Sequence, residues 1–216
     1  HSATAGYFGR INYDYDEKWL FELNGRLDGS SNFPSNQRWG FFPSGSFGYR
    51  FSQEEYFEPL REVVSNGKLR VSYGSIGNDN VGADKFRSII TGGTISYIDP
   101  ATGNLMSAYD MPTIVPNSLT WERIENLDLG LDLGFLNNTL TVGFDWYQRY
   151  TRDMLAPSES RPSMLGVGVP TTNVGSLRTR GWELSLDYKN KFGDVDFYAN
   201  ASLSDYSAEV MKWKND

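Results

Sequence analysis

The chain has no cysteine and a single histidine, His1. The first absence excludes disulfides and thiolate metal sites. The second leaves any serine or threonine nucleophile without the imidazole base that a hydrolytic triad needs. No apolar run reaches the roughly 18 residues that a membrane-crossing helix requires. A basic surface is missing too: 20 Lys and Arg stand against 27 Asp and Glu, giving a net charge of -7. That balance sets nucleic acid aside as a partner, because phosphate binding needs a cationic face. No phosphate-cradling glycine motif occurs, and the acidic segment 77–84, GNDNVGAD, lacks the spacing and closing glutamate of a calcium loop. No cofactor or metal site is expected, and the chain does not read as an enzyme. The opening HSATAGYFGR carries no basic-then-apolar signal segment, and the closing MKWKND stops on polar residues. Both ends read as cut, so an internal piece of a longer protein is expected.

What is present is extended structure. Aromatic residues make up 15% of the chain and glycines number 22, yet the mean hydropathy is -0.49. A chain polar on average but rich in Tyr, Phe and Trp hides its apolar residues by alternation. The stretch from Leu127 to Trp146, LDLGLDLGFLNNTLTVGFDW, shows this best. Leu127, Leu129, Leu131 and Leu133 alternate with Asp128, Gly130, Asp132 and Gly134. After a turn around Leu136 to Asn138, the period resumes with Leu140, Val142, Phe144 and Trp146. Successive strand side chains point to opposite faces, so each arm has one apolar face and one polar, acidic face. A soluble sheet with one buried face has this pattern, and so does a barrel wall with lipid outside and water inside.

The same period recurs along the chain. Tyr7, Ile11, Tyr13 and Tyr15 share one parity, as do Trp19, Phe21, Leu23 and Leu27, and then Trp39, Phe41, Phe47, Tyr49 and Phe51. Leu69, Val71 and Tyr73 continue it, followed after the Leu127–Trp146 hairpin by Trp182, Leu184, Leu186 and Tyr188, and by Val195, Phe197, Ala199, Ala201 and Leu203. Pro43 marks a bulge or a weakened ladder. Between 52 and 66 the period changes: Ser52 with Glu55 forms a capping-box pattern, and a short helix is expected from Pro59. That makes eight strands. Short connections near 14–18, 52–66, 135–139 and 191–194 rotate strictly with long ones near 29–38, 77–119 and 152–178. In an antiparallel sheet the long ones all fall on one rim, as in a transmembrane barrel with short periplasmic turns and long extracellular loops. Most runs reach about 10 residues, enough to cross a bilayer when tilted. Trp19, Trp39, Tyr49, Trp146 and Tyr188 lie near strand ends, where interfacial girdles form.

Runs spread over nearly the whole chain resemble a known family, the SusC/RagA-like TonB-dependent transporters of the outer membrane. They are YFGRINYDYDEKWLFELNGRLDGSSNF, NQRWGFFPSGSFGYRFSQEEYF, LRVSYGSIGN, TWERIENLDLGLDLGFLNNTLTVGFDWYQRYTRDML and NVGSLRTRGWELSLDYKN. The resemblance implies an all-β fold: an antiparallel transmembrane barrel wall, about eight strands of a 22-stranded barrel, with residues 1–216 part of that one domain. It also implies a Gram-negative outer membrane, uptake of glycans or peptides, a SusD-like surface lipoprotein as partner, and a TonB complex acting through a plug. The family's signal segment, TonB-contacting segment, plug and aromatic-ended last strand have no counterpart here. Two other readings stay open. One is a self-contained eight-stranded barrel with a structural or adhesion role, closed by pairing the Tyr7 and Val195 strands. The other is a soluble β-sandwich binding module.

Asp128, Asp132, Asp145, Glu183 and Asp187 share the lumen-side parity, as do Arg10, Arg26, Arg50 and Arg70. They are expected to line either a substrate path or simply a wet interior. No carboxylate pair shows the separation that glycoside hydrolysis needs. In the long loops, Tyr97, Tyr109 and Trp121, with Asp99 and Asp110, are candidates for stacking on a sugar or holding a peptide; alternatively they pack the loop onto itself.

Overall fold

The computed structural model describes residues 2–82, 85–90, 92–109, 112, 115, 119–157 and 170–213. Among these residues ten strands form: β1 (Thr4–Tyr15), β2 (Trp19–Ser30), β3 (Trp39–Tyr49), β4 (Val64–Asn78), β5 (Gly92–Ile98), β6 (Leu105–Tyr109), β7 (Glu122–Phe135), β8 (Leu140–Pro157), β9 (Thr171–Phe192) and β10 (Val195–Trp213). Eight of them build one sheet in the order β1-β2-β3-β4-β7-β8-β9-β10. Every pairing is antiparallel between chain neighbours, apart from the excursion through β5 and β6. The fold is an all-β, antiparallel wall. Among the described residues β1 and β10 do not pair, so the sheet stays open and the small closed barrel is not formed.

Turn chemistry sets the short connections. Leu136, Asn137 and Asn138 all have positive φ (51°, 57° and 62°), a region that asparagine tolerates because its short side chain bonds locally. The β3–β4 connection differs from the capped helices expected. It holds two 3-10 helices, Phe51–Gln53 and Glu55–Leu60, and neither has a side-chain cap. Ser52 is buried inside the first, and Pro59 lies within the second rather than opening it. A tight i→i+3 ladder in pieces this short leaves no room for a reciprocal Ser–Glu cap. The stretch from 77 to 119, which shows no sustained period in sequence, contains the separate β5–β6 hairpin. Its strands are too short for alternation to register, and its turn is set by Asp99, whose carboxylate accepts the Ala101 amide at 2.9 Å and the Thr102 hydroxyl at 2.7 Å.

Register places the apolar side chains of successive strands beside one another. One row runs across the whole sheet: Tyr15, Trp19, Tyr49, Leu69, Leu131, Phe144, Leu184 and Leu203. On β1 the other apolar residues of this face lie above the row, toward the long connections. On β7 and β8 they straddle it, and on β10 they lie below it. The apolar band therefore slants, descending about eight residues over the seven strand-to-strand steps. At ~3.3 Å per residue and ~4.8 Å per step that is a tilt of about 40°, matching the 35–45° of transmembrane barrel strands. The short turns descend along the same slant and stay just beneath the band.

The accessible surface is 14997 Å², against roughly 10,000 Å² for a compact monomer of this mass. Apolar burial is correspondingly local. β3 and β4 pair from Tyr49–Leu69 only as far as Ser44–Gly74, whereas β2–β3 pairing continues to Gly29–Trp39 and β4–β7 pairing to Asn78–Glu122. Above Ser44 the two strands part, and a cluster of Phe33, Phe42, Val81, Leu119 and Trp121 fills the opening. Phe42 occupies the space where a side chain on Gly40 or Gly77 would stand, so both positions need glycine for steric reasons. Phe42→Ala should cost about 3–5 kcal/mol. The check is the denaturant midpoint of the detergent-solubilised full-length protein, together with faster proteolysis in 31–38 and 79–90; an unchanged midpoint would mean that the seam is sealed by other groups.

Candidate functional site

The polar face is built from the residues that alternate with the apolar band. A cavity of about 480 Å³ on this face is lined by residues from Asn12 on β1 to Asp128 on β7, so the sheet curves around it. Arg70, one of its lining residues, reaches across β7. Its Nε donates to Asp132 at 2.7 Å, and one Nη donates to Asp132 at 2.9 Å and to Asp145 at 2.8 Å. Asp128 lies at 4.0 Å from the other Nη. Glu183 stands directly opposite Asp145 in the β8–β9 register. Like charges facing each other repel, so the guanidinium bond to Asp145 offsets that contact. Asp187 sits apart from this group and accepts the Tyr198 hydroxyl at 2.9 Å. Arg26 shares its Nε–H between the two carboxylate oxygens of Asp28 at 2.8 and 2.6 Å, beside a second cavity of about 780 Å³ that Phe8, Arg10, Asn24 and Phe42 also line.

The leucine–aspartate–leucine–glycine repeat has a steric reason. A side-chain carbon added at Gly130 would lie 2.6 Å from Arg70 Cζ and 2.5 Å from the Asp145 carboxylate. Gly130 thus leaves the gap through which Arg70 crosses one strand to reach carboxylates on two. Among the polar-parity arginines, Arg70 is the one that gathers acids, and the glycine opposite it in the β4–β7 register is the signal that marks it.

The loop candidates separate. Tyr97 and Tyr109 are exposed on the β5–β6 hairpin at 60% and 76%. Asp99 closes that hairpin, and Asp110 lies outside the described residues. Trp121 is buried: its indole N–H donates to the Arg38 carbonyl at 3.1 Å, and its ring packs against Phe33 and Phe42 at 5.0 and 5.4 Å. It ties the base of one long connection to another. Polar contacts do the same. Ser30 donates to Asp79 at 2.6 Å, and Asn173 both accepts from the Thr120 amide and donates to the Thr120 and Asp153 carbonyls. Phe33, Phe42, Asp79 and Asn173 escape sequence reasoning, because each acts through partners far along the chain. Only Phe42, an aromatic on the polar parity next to Phe41, breaks the pattern visibly.

Two outcomes follow. Gly130→Ala should destabilise by about 1–3 kcal/mol through overpacking, and less in an Arg70→Ala background, because the obstructed group is gone; a double-mutant cycle with additive costs would refute the steric link. The backbone and hydroxyl bonds to Asp99 hold its carboxyl below the ordinary 3.8. A carboxyl depressed in the folded hairpin stabilises it above the unfolded value and loses that contribution as pH falls through the folded one. Amide exchange at Ala101 should therefore stay slow at neutral pH and accelerate only below about pH 4, whereas Asp99→Ala should accelerate it at all pH.

Comparison with known proteins accounts for this arrangement. Residues 1–215 match the family model described as TonB dependent receptor-like, beta-barrel. The chain is 33% identical over 184 residues to TonB-dependent receptor P3 of Formosa agariphila, covering 85% of this chain and 18% of that protein. It is 34% identical over 188 residues to TonB-dependent receptor SusC of Bacteroides thetaiotaomicron, covering 87% of this chain and 19% of the other. The solved structure of the RagAB peptide transporter superposes with a TM-score of 0.86 at 28% identity, over 98% of this chain and 23% of that one. The chain thus spans about a fifth of the length of these relatives. An open eight-stranded wall with one apolar and one charged face is the shape of such a share, and the chain belongs to the TonB-dependent receptor-like β-barrel family.

Proposed function

We propose that this chain is a stretch of the barrel wall of an outer-membrane importer of the SusC/RagA type. The whole protein takes up glycans or peptides, is energised by a TonB complex acting on a plug inside a 22-stranded barrel, and works with a SusD-like surface lipoprotein. The observation that carries this reading is the slanted apolar band. A soluble sheet buries its apolar face against a second layer, whereas here a face of Tyr, Trp, Phe and Leu crosses eight strands at about the tilt of a membrane barrel. One structural relative supports the peptide side of the cargo class: RagAB is a peptide importer.

In this placement the apolar face meets lipid and the Arg70 face meets the lumen. The connections near 29–38, 77–119 and 152–178 are extracellular, and the 52–66 connection and the short turns are periplasmic. The lumen-side charges Arg26, Asp128, Asp132, Asp145, Glu183 and Asp187 keep the wall wet, where ionic groups carry little desolvation cost. Tyr97 and Tyr109 on the exposed hairpin are the groups available to stack on a ring or a peptide side chain, with Asp99 at its turn; Asp110 follows Tyr109 in sequence. Import needs no covalent step from any of them.

Transport of radiolabelled oligosaccharides or peptides by cells expressing the full-length protein provides the test. Tyr97→Ala with Tyr109→Ala should weaken substrate capture on the order of tenfold, the usual cost of removing an aromatic anchor, with surface expression unchanged. Leu131→Arg at the middle of the band should cost about 2–4 kcal/mol of barrel stability and reduce outer-membrane assembly. Full-length protein found in the detergent-free soluble fraction would refute the proposal.

A further inference from the structure

We infer that the outward surface of β8 and β9 just above the apolar band is a contact site for anionic lipid headgroups, centred on Arg180; this rests on the membrane placement above. The upper edge of the band on these strands is the directly paired Trp146 and Trp182, an arrangement that suits the hydrocarbon–headgroup boundary. Arg180 lies one outward step above Trp182, which is about 5 Å higher along the membrane normal at the derived tilt. The headgroup layer occupies roughly that depth, since ~30 Å of hydrocarbon widens to ~40–45 Å with the interfaces.

The charge chemistry singles out Arg180. Its neighbour on the same face, Arg178, is neutralised by Glu209 at 2.6 Å, and Arg152 by Glu125 at 3.0 Å. Arg180 is exposed and donates its Nε to the neutral Gln148 at 2.7 Å; no ion pair links it to a carboxylate among the described residues. The Gln148 bond takes only the Nε and leaves both Nη groups without a hydrogen-bond partner among the described residues, available as the donor fork that fits a phosphate. Ser207, opposite Arg180 on β10, adds a hydroxyl beside it. An exposed arginine tethered only to a neutral amide at this level matches the phosphate of a membrane lipid.

The experiment uses the full-length protein in phosphatidylcholine vesicles, with tryptophan quenching by brominated-chain phosphatidylglycerol compared with brominated-chain phosphatidylcholine. The part of the quenching lost in Trp146→Phe/Trp182→Phe reports this site. Wild type should prefer the phosphatidylglycerol, and Arg180→Gln should lower that preference about fivefold, the effect of one basic residue at a membrane surface. Arg26→Gln, on the other face, should leave it unchanged. Native mass spectrometry of retained phosphatidylglycerol gives the same comparison without tryptophan substitution. Equal quenching by both lipids would overturn the headgroup site while leaving the membrane placement intact. No quenching by either would overturn the placement itself. Loss of the preference on adding inorganic phosphate would assign the site to a free anion and overturn the lipid assignment.

Discussion

Backbone hydrogen bonding between neighbouring strands is the constraint from which the rest of this structure follows. In a hydrocarbon medium every main-chain N–H and C=O must find a partner inside the protein, and a sheet can supply them only strand to strand. Register is therefore fixed along β1-β2-β3-β4-β7-β8-β9-β10, and register decides which side chains share a face. A slip of one residue at any pairing would turn leucines toward water and aspartates toward lipid. Among the described residues the ladder stops early at the upper β3–β4 seam, where Phe42 and Trp121 fill the opening. It lies next to the long connections, where the parted backbone is closest to water.

Alternation places charge on one face, but placement is not stabilisation. Arg70 holds Asp132 and Asp145 closely, yet its side chain is 34% exposed and its partners are similarly wet. Pairs of that kind contribute little net energy. Their effect is positional: the acids and the arginine keep this face hydrated, and Gly130 admits the arm that joins them. Charge density on the face is thus a marker of water rather than a source of stability, and the stability of the wall rests on the ladder, the band and the rim cluster.

How much of this could be read from the amino-acid order depends on the range of each signal. Period-two alternation is local, so the eight wall strands, their parity and the asparagine turn after Phe135 are legible from short windows. The Gly130–Arg70 contact needs the register, because the two residues are 60 positions apart, yet the repeat of glycine with aspartate hints at it. Trp121 is different. Its burial depends on Arg38, 83 positions away, and on Phe33 and Phe42 from a separate segment. An isolated tryptophan between two loops reads equally well as a binding group or as a packing group, and only the fold separates the two. The β5–β6 hairpin was illegible because its strands, at 7 and 5 residues, are too short to show a period, although Asp99, Thr102 and Gly103 mark a turn.

The slant of the band adds something that neither parity nor pairing holds alone. Crossing the hydrocarbon takes about 9–11 residues of tilted strand. β1 to β3, at 12, 12 and 11 residues, are little longer than that, whereas β8, β9 and β10 run to 18, 22 and 19. Because the band lies low on those last strands, their surplus stands almost wholly on the side of the long connections. Its outer face carries Arg178, Arg180 and Glu209 in place of leucines. The mouth of the wall is therefore lopsided, low at β1–β3 and raised at β8–β10. Where β8 to β10 continue beyond the lipid their outer face meets water instead of hydrocarbon, and the pairing there is interrupted by register shifts at Thr151–Leu155 and Val210–Lys212. The length of β9 and the change of its outward residues after Trp182 are two readings of the same boundary, one from the backbone and one from the side chains, and they agree.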